Sequence, residues 1–135
     1  MTPGQHLPPE YEKGDETTVG GYAAVHSRPA ALEGRDGMSY SIDVLSDATG
    51  EASRPFGAYL IFVQWSRLGA QKAEGHLETD FLAWGANAQE AERALGAMPL
   101  VDAQRALDAL VAARDGASTR RWFDVMRDDS DEGDR

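Results

Sequence analysis

The chain contains no cysteine, and this absence limits both its chemistry and its compartment. Disulfide bonds, thiolate metal sites and cysteine nucleophiles are all excluded. A small secreted domain is often cross-linked by disulfides, so a domain without them favours the cytoplasm. The first residues, MTPGQHLPPEYEKGDETT, have neither the basic nor the apolar segment of a secretory signal. We therefore predict a cytoplasmic protein.

Long apolar runs and basic residues are also scarce. No apolar stretch approaches the roughly 20 residues that a membrane helix needs, so no membrane partner is predicted. The chain has 13 Lys and Arg against 23 Asp and Glu, a net charge of −10. Because acidic surfaces repel phosphate, the composition predicts no nucleic-acid binding. The glycines of TVGGYAAV lack the spacing of a phosphate-binding loop, and no cofactor is predicted.

Acidic residues are concentrated at the two ends, and three of the six prolines lie in the first nine residues. Residues 1–18 hold three prolines and four acids against one lysine, and residues 127–135 hold five acids, two arginines and no apolar residue. Such segments bury too little apolar surface to offset the entropy of ordering. We predict disordered tails over 1–18 and 127–135. The remaining residues, 19–126, are predicted to form one domain.

Hydrophobic residues alternate with a period of two through the first part of this domain, which indicates strands. The predicted strands lie in VGGYAAVHS (19–27), on both sides of Asp36-Gly37 within 30–47, in FGAYLIFVQWS (56–66) and in GHLETDFLAWG (75–85). Asp-Gly is typical of a tight hairpin turn. Since the stretch 56–66 is apolar on both faces, it predicts a central strand that is covered on each side.

After Gly85 the spacing becomes helical. Asn87 and Glu90 predict the start of a helix over 88–97, because both side chains can satisfy free amides of the first turn. Pro99 separates it from a second helix over about 99–114, which Asp115-Gly116 is predicted to end. A short third helix is predicted over 118–127. The whole pattern predicts an α+β fold: an antiparallel meander sheet of about five strands with a C-terminal helical hairpin packed on one face.

Three residues of the last predicted strand are metal-ligand types at alternate positions: His76, Glu78 and Asp80. Same-face neighbours on a strand stand about 7 Å apart, so these side chains can converge on an ion, with His26 as a further candidate ligand. The solvated face of an antiparallel sheet carries the same pattern without any site. We favour the solvated face. No serine or histidine motif selects catalytic residues.

The predicted helical hairpin covers one face of the sheet and leaves an apolar row on the other, formed by Tyr59, Ile61, Val63 and Trp65. Exposed apolar rows mark interfaces, and a two-fold homodimer through this face is predicted. Arg121 and Trp122 are of residue types enriched at binding hot spots, although a turn that packs its aromatics on the protein's own core explains them as well.

These features predict a small soluble non-catalytic protein that acts by protein–protein interaction, such as a bacterial accessory, immunity-type or assembly protein. A metal-dependent enzyme that uses the His/Glu/Asp cluster on the last strand is the alternative. A third reading is a nucleic-acid mimic whose acidic face occupies a basic partner.

Overall fold

The computed structural model describes residues 8–65 and 73–130, with the side chains of residues 8–65 and 75–116. After a 3₁₀ turn at Tyr11–Lys13, the elements are α1 (Val19–His26), β1 (Ala31–Glu33), β2 (Ser39–Glu51), β3 (Arg54–Trp65), β4 (Ala73–Glu78), β5 (Ala83–Gly85), α2 (Ala88–Gly96) and α3 (Leu100–Ser130). Strands precede the two C-terminal helices, and the predicted α+β class is confirmed.

The strands form one antiparallel sheet in the order β1-β2-β3-β4, and β5 also pairs with β3. The predicted meander of about five strands is therefore confirmed, with β3 at its centre. The hairpin between β1 and β2 has the expected turn: Gly37 has a φ of 80°, and the Asp36 carboxylate accepts a hydrogen bond from the Met38 amide at 3.1 Å. That positive φ suits glycine, which has no Cβ to clash.

Helices α2 and α3 pack on one face of the sheet, called the inner face below. Its core comprises strand residues Tyr40, Ile42, Ala58, Leu60 and Phe62, and helix residues Ala91, Leu95, Ala103, Leu107 and Val111. On α3 the buried positions recur every four residues, which is the spacing of one helix face. The predicted packing of the C-terminal helices on one face of the sheet is confirmed.

The first predicted strand, 19–27, is wrong, since this segment forms α1. Thr18 caps the helix by accepting a hydrogen bond from the Gly21 amide at 3.0 Å. Val19, Tyr22 and Val25 face the rest of the domain at intervals of three, whereas Val19 and Val25 also fit an alternating pattern. A short run of this kind fits both the strand period of two and the helical period of about 3.6. The side-chain cap at Thr18 marks the segment as a helix.

Two further element boundaries differ from the prediction. The last predicted strand, 75–85, is split into β4 and β5, which pair with different ends of β3. The second and third predicted helices are one continuous helix of 31 residues, so Asp115-Gly116 does not end it. Predicted helix 88–97 is confirmed as α2, with the Asn87 side chain accepting from the Glu90 amide at 2.8 Å.

Residues just before α1 are bonded to the helical part of the molecule. The Leu100 amide donates to the Thr17 carbonyl at 2.7 Å, and the Val19 amide donates to the Met98 carbonyl at 2.9 Å. These bonds place the start of the packed structure before residue 19. The division into tails 1–18 and 127–135 around a domain 19–126 otherwise stays a prediction. None of the helices described combines the length and apolar content that crossing a membrane requires.

Candidate functional site: the outer face of the sheet

The sheet face opposite α2 and α3, called the outer face below, carries the predicted apolar row. In an antiparallel pair, residues directly opposite each other point to the same side. The register therefore groups Tyr59, Ile61, Val63 and Trp65 of β3 with Leu45, Asp43, Ser41 and Ser39 of β2, and with Glu78 and His76 of β4. The structure brings all four predicted interface residues of β3 onto one surface.

The β3 residues of the two faces differ sharply in burial. Leu60 and Phe62, which point to the inner face, are 0% exposed, whereas Ile61 and Val63 are only half-buried. Leu45, which lies opposite Tyr59 on β2, is 37% exposed. Trp65 is held in place by its indole N–H, which donates to the Ser41 hydroxyl at 3.1 Å. The outer face is thus an ordered, partly apolar surface that the described helices do not cover.

Phe81, from the link between β4 and β5, covers one end of the outer face. Gly57 makes room for it, because a Cβ at position 57 would lie 2.5 Å from the Phe81 ring. The Phe81 ring meets the Tyr59 ring edge-on, with centroids 6.1 Å apart and planes at 62°. Such edge-to-face pairs are favourable beyond the area they bury. The sequence signal for this contact was a lone glycine inside an apolar strand, which indicates a close approach.

A cleft of about 290 Å³ opens beside this aromatic pair. It is lined by Tyr59, Phe81 and Thr79 together with three carboxylates, Asp47, Glu78 and Asp80. The pKa of the Tyr59 phenol is raised, first by loss of solvent and then by the negative charges of Asp47 and Glu78. Tyr59 is therefore neutral near pH 7. Extending the alternation of Ser39, Ser41 and Asp43 along β2 would have placed Asp47 on this face.

The candidate metal ligands are only partly brought together. His76 and Glu78 are neighbours on the outer face, but His76 Nε2 lies 3.8 Å from Glu78 Oε2 and both side chains are at least half exposed. Asp80 lies beyond the end of β4, where its backbone carbonyl accepts from the Thr79 hydroxyl at 2.7 Å. Among the described residues, no three His, Asp or Glu side chains are grouped to hold an ion. Glu78 and Asp80 line the cleft beside Tyr59, and the metal hypothesis stays a prediction.

His26 lies on a different element from the other three candidates. It ends α1 rather than a strand, so its predicted place on the sheet is wrong. Its Nε2 is 2.9 Å from Glu16 Oε2, and its ring stacks at 4.3 Å on the ring of Tyr22. These contacts make His26 a packing residue at the helical end of the domain.

The remaining predicted interface residues, Arg121 and Trp122, belong to α3. Their side chains lie outside those described, so their role in an interface stays a prediction.

A polar network on the inner face was missed by sequence reasoning. Arg114 of α3 donates to Asp36 at 2.8 Å, to Gln64 at 3.2 Å and to the Tyr40 hydroxyl at 3.3 Å, and that hydroxyl donates to Asp36 at 2.8 Å. Burial alone would raise the pKa of Asp36, but the hydrogen bonds from Tyr40, the Met38 amide and Arg114 hold it below its usual value. Through these hydrogen bonds, α3 is connected to β2, to β3 and to the turn between β1 and β2.

The sequence gives little indication of this network. Arg114 appears at the end of the apolar repeat of α3, where a long side chain usually reaches solvent. Only the fold brings it next to Asp36, which is 78 residues earlier in the chain. The network joins α3 to the sheet, and we assign it a structural role.

The chain matches no protein-family model, no curated protein and no solved structure at a significant level.

Proposed function

We propose that the protein is a non-catalytic protein that acts by binding another protein through its outer face. One observation carries this proposal: β3 is apolar on both sides, yet the described helices cover only its inner side. The half-buried row of Tyr59, Ile61, Val63 and Trp65 is ordered by neighbours in the sheet and remains accessible. A cytoplasmic bacterial accessory, immunity-type or assembly role forms part of this proposal.

The composition of the row supports a protein partner. Tyr and Trp are enriched at protein interfaces because they supply large contact areas and polar tips together. Complete burial of a large apolar side chain is worth about 1.5–3 kcal/mol relative to full exposure. Because the residues of the row are only half-buried, folding provides only part of this free energy. A partner that covers them would provide the remainder.

Site-specific photo-crosslinking in the native cell tests this proposal. A photoreactive p-benzoylphenylalanine replaces Ile61 on the outer face, and the same group replaces Arg105 in the control. Arg105 suits the control because its side chain is 76% exposed and lies on α3, away from the sheet. We expect a discrete protein adduct from position 61, absent from position 105 and abolished by an additional Val63→Asp substitution. Identical adduct patterns at both positions, or none at position 61, would contradict the proposal.

A further inference from the structure

Among the described residues, the charges on the outer face are nearly all of one sign. The outward positions of the strands include four exposed carboxylates, those of Glu33, Asp43, Asp47 and Glu78. Asp80 adds a fifth at the cleft beside Tyr59. Over the described ranges, the outward positions that pair in this register hold no Lys or Arg, and His76 is their one basic side chain. The apolar row is therefore flanked by negative charge.

Little within the described part of the chain neutralises these carboxylates. Glu33, Asp43 and Asp47 have no ion pair there, and Glu78 approaches only His76, at 3.8 Å. The Arg54 guanidinium stacks at 4.3 Å over the ring of Trp84, which lies opposite Gly57, and pairs with Glu51 at one end of the sheet. A partner with cations at its rim would pair with the carboxylates that have no ion pair within the described ranges.

We infer that the outer face binds a protein surface that presents an apolar centre flanked by Arg or Lys side chains. The inference rests on the proposed function and names the chemistry of its partner. A second copy of the chain fits less well, since a two-fold contact through this face would set the same carboxylates against each other. Like charges brought together across an interface are unfavourable and suppress pairing, whereas opposite charges favour it.

The cleft beside Tyr59 gives a cationic side chain a place on this face. The Tyr59 and Phe81 rings form an aromatic wall, and Asp47, Glu78 and Asp80 surround the same space. A guanidinium or ammonium group next to an aromatic face gains a cation–π attraction, and nearby carboxylates add ion pairs. An Arg or Lys of the partner would thus have its apolar stem on the rings and its charge on the carboxylates.

Peptide binding to the full chain tests the inference. The probe is a short fluorescein-labelled peptide of alternating Arg and Leu, and a second peptide has Glu in place of every Arg. Anisotropy at low ionic strength gives the affinity, and amide chemical shifts locate the bound probe. We expect the Arg peptide alone to bind and to shift the signals of Tyr59, Ile61 and Val63. Asp47→Asn with Glu78→Gln should weaken binding about fivefold or more, as expected for two partly exposed ion pairs.

The matched control neutralises two carboxylates elsewhere, the exposed Glu12 and the half-exposed Asp102, by Glu12→Gln with Asp102→Asn, and so makes the same change in net charge. We expect it to change the affinity less than about twofold, because long-range charge is largely screened. Equal losses from both pairs, binding of the Glu peptide, or no binding would overturn the inference. So would a dimer of the chain alone that protects the same signals. A cross-linked partner at position 61 would still stand in these cases, which separates failure of the inference from failure of the proposed function.

Discussion

The two faces of the same sheet differ in how deeply their apolar side chains are buried, and adjacent residues of β3 show the difference. Phe62 is completely buried under α2 and α3, while Val63, the next residue, is half-buried on the outer face. Both are apolar residues of one central strand, paired in the same ladder. Both have a strand on each side in the sheet, and the difference lies in what covers each side chain.

This comparison separates the residues that make the fold from those available for function. The inner face owes its order to packing, because each buried side chain fills space between sheet and helices. The outer face owes its order to cross-strand pairs such as Trp65 with Ser41 and to the edge-on contact of Phe81 with Tyr59. Substitutions on the outer face can therefore change binding while the fold is retained.

The largest expected effect on stability comes from a substitution in the buried core of the inner face, compared with one on the outer face. Phe62→Ala should lower the free energy of unfolding by about 3–5 kcal/mol, because it removes a buried ring and leaves a cavity. Val63→Ala should cost about 1 kcal/mol or less, since a half-buried side chain loses less contact. Urea denaturation of both variants measures the difference. Similar losses would show that the outer face is covered as deeply as the inner one.

The next largest effect concerns the polar network through which α3 is bonded to the sheet. Arg114→Met keeps much of the side chain's length but leaves Asp36 and Tyr40 without their cationic donor, and should cost about 1–2 kcal/mol. That value sits at the low end for charged hydrogen bonds because Arg114 is 34% exposed and water screens the pair. Arg105→Met is the control and should stay within about 0.5 kcal/mol. Equal losses from the two variants would mean that the network contributes nothing specific.

The sequence predicts the inner face better than the outer one. Alternation in β2 puts Tyr40 and Ile42 on one face, and alternation in β3 does the same for Leu60 and Phe62. Both pairs are buried, because burial on one side imposes a strict period. The caps at Asn87 and the turn at Gly37 are also predictable, since each depends on residues within four positions. Local chemistry and periodicity thus determine most of the fold.

The rest depends on contacts between distant residues. Asp47 and Asp80 meet at one cleft only because β2 and the β4–β5 link both lie beside β3. Asp115-Gly116 has the composition of a helix end, yet α3 continues through it to Ser130. Local propensity is a weak guide where a glycine is tolerated inside a long helix. The four predicted outer-face residues share a surface as expected, whereas what binds there stays a proposal.

A smaller effect concerns how far the helix that covers the inner face extends. Gly116 lies inside α3 without a positive φ, and a Cβ added there would have no atom within 4 Å. Gly116→Ala should therefore raise the free energy of unfolding by about 0.5–1 kcal/mol, since alanine loses less backbone entropy in a helix. Thermal and urea denaturation measure the change. A helix that ends at Asp115 would need a left-handed residue at 116, and the same substitution would then be destabilising.

The smallest expected effect is on the outer face, at the residues first considered as metal ligands. His76→Ala should change the free energy of unfolding by under about 0.5 kcal/mol, because its side chain is 57% exposed and its contact with Glu78 is a loose 3.8 Å. Asp80→Ala, beyond the end of β4, should behave in the same way. Metal content of the dialysed protein accompanies both measurements. Stoichiometric zinc or manganese that is lost with His76→Ala, together with a large loss of stability, would support the metal hypothesis. A small effect without bound metal would leave these residues as the solvated rim of a surface whose apolar row does the binding.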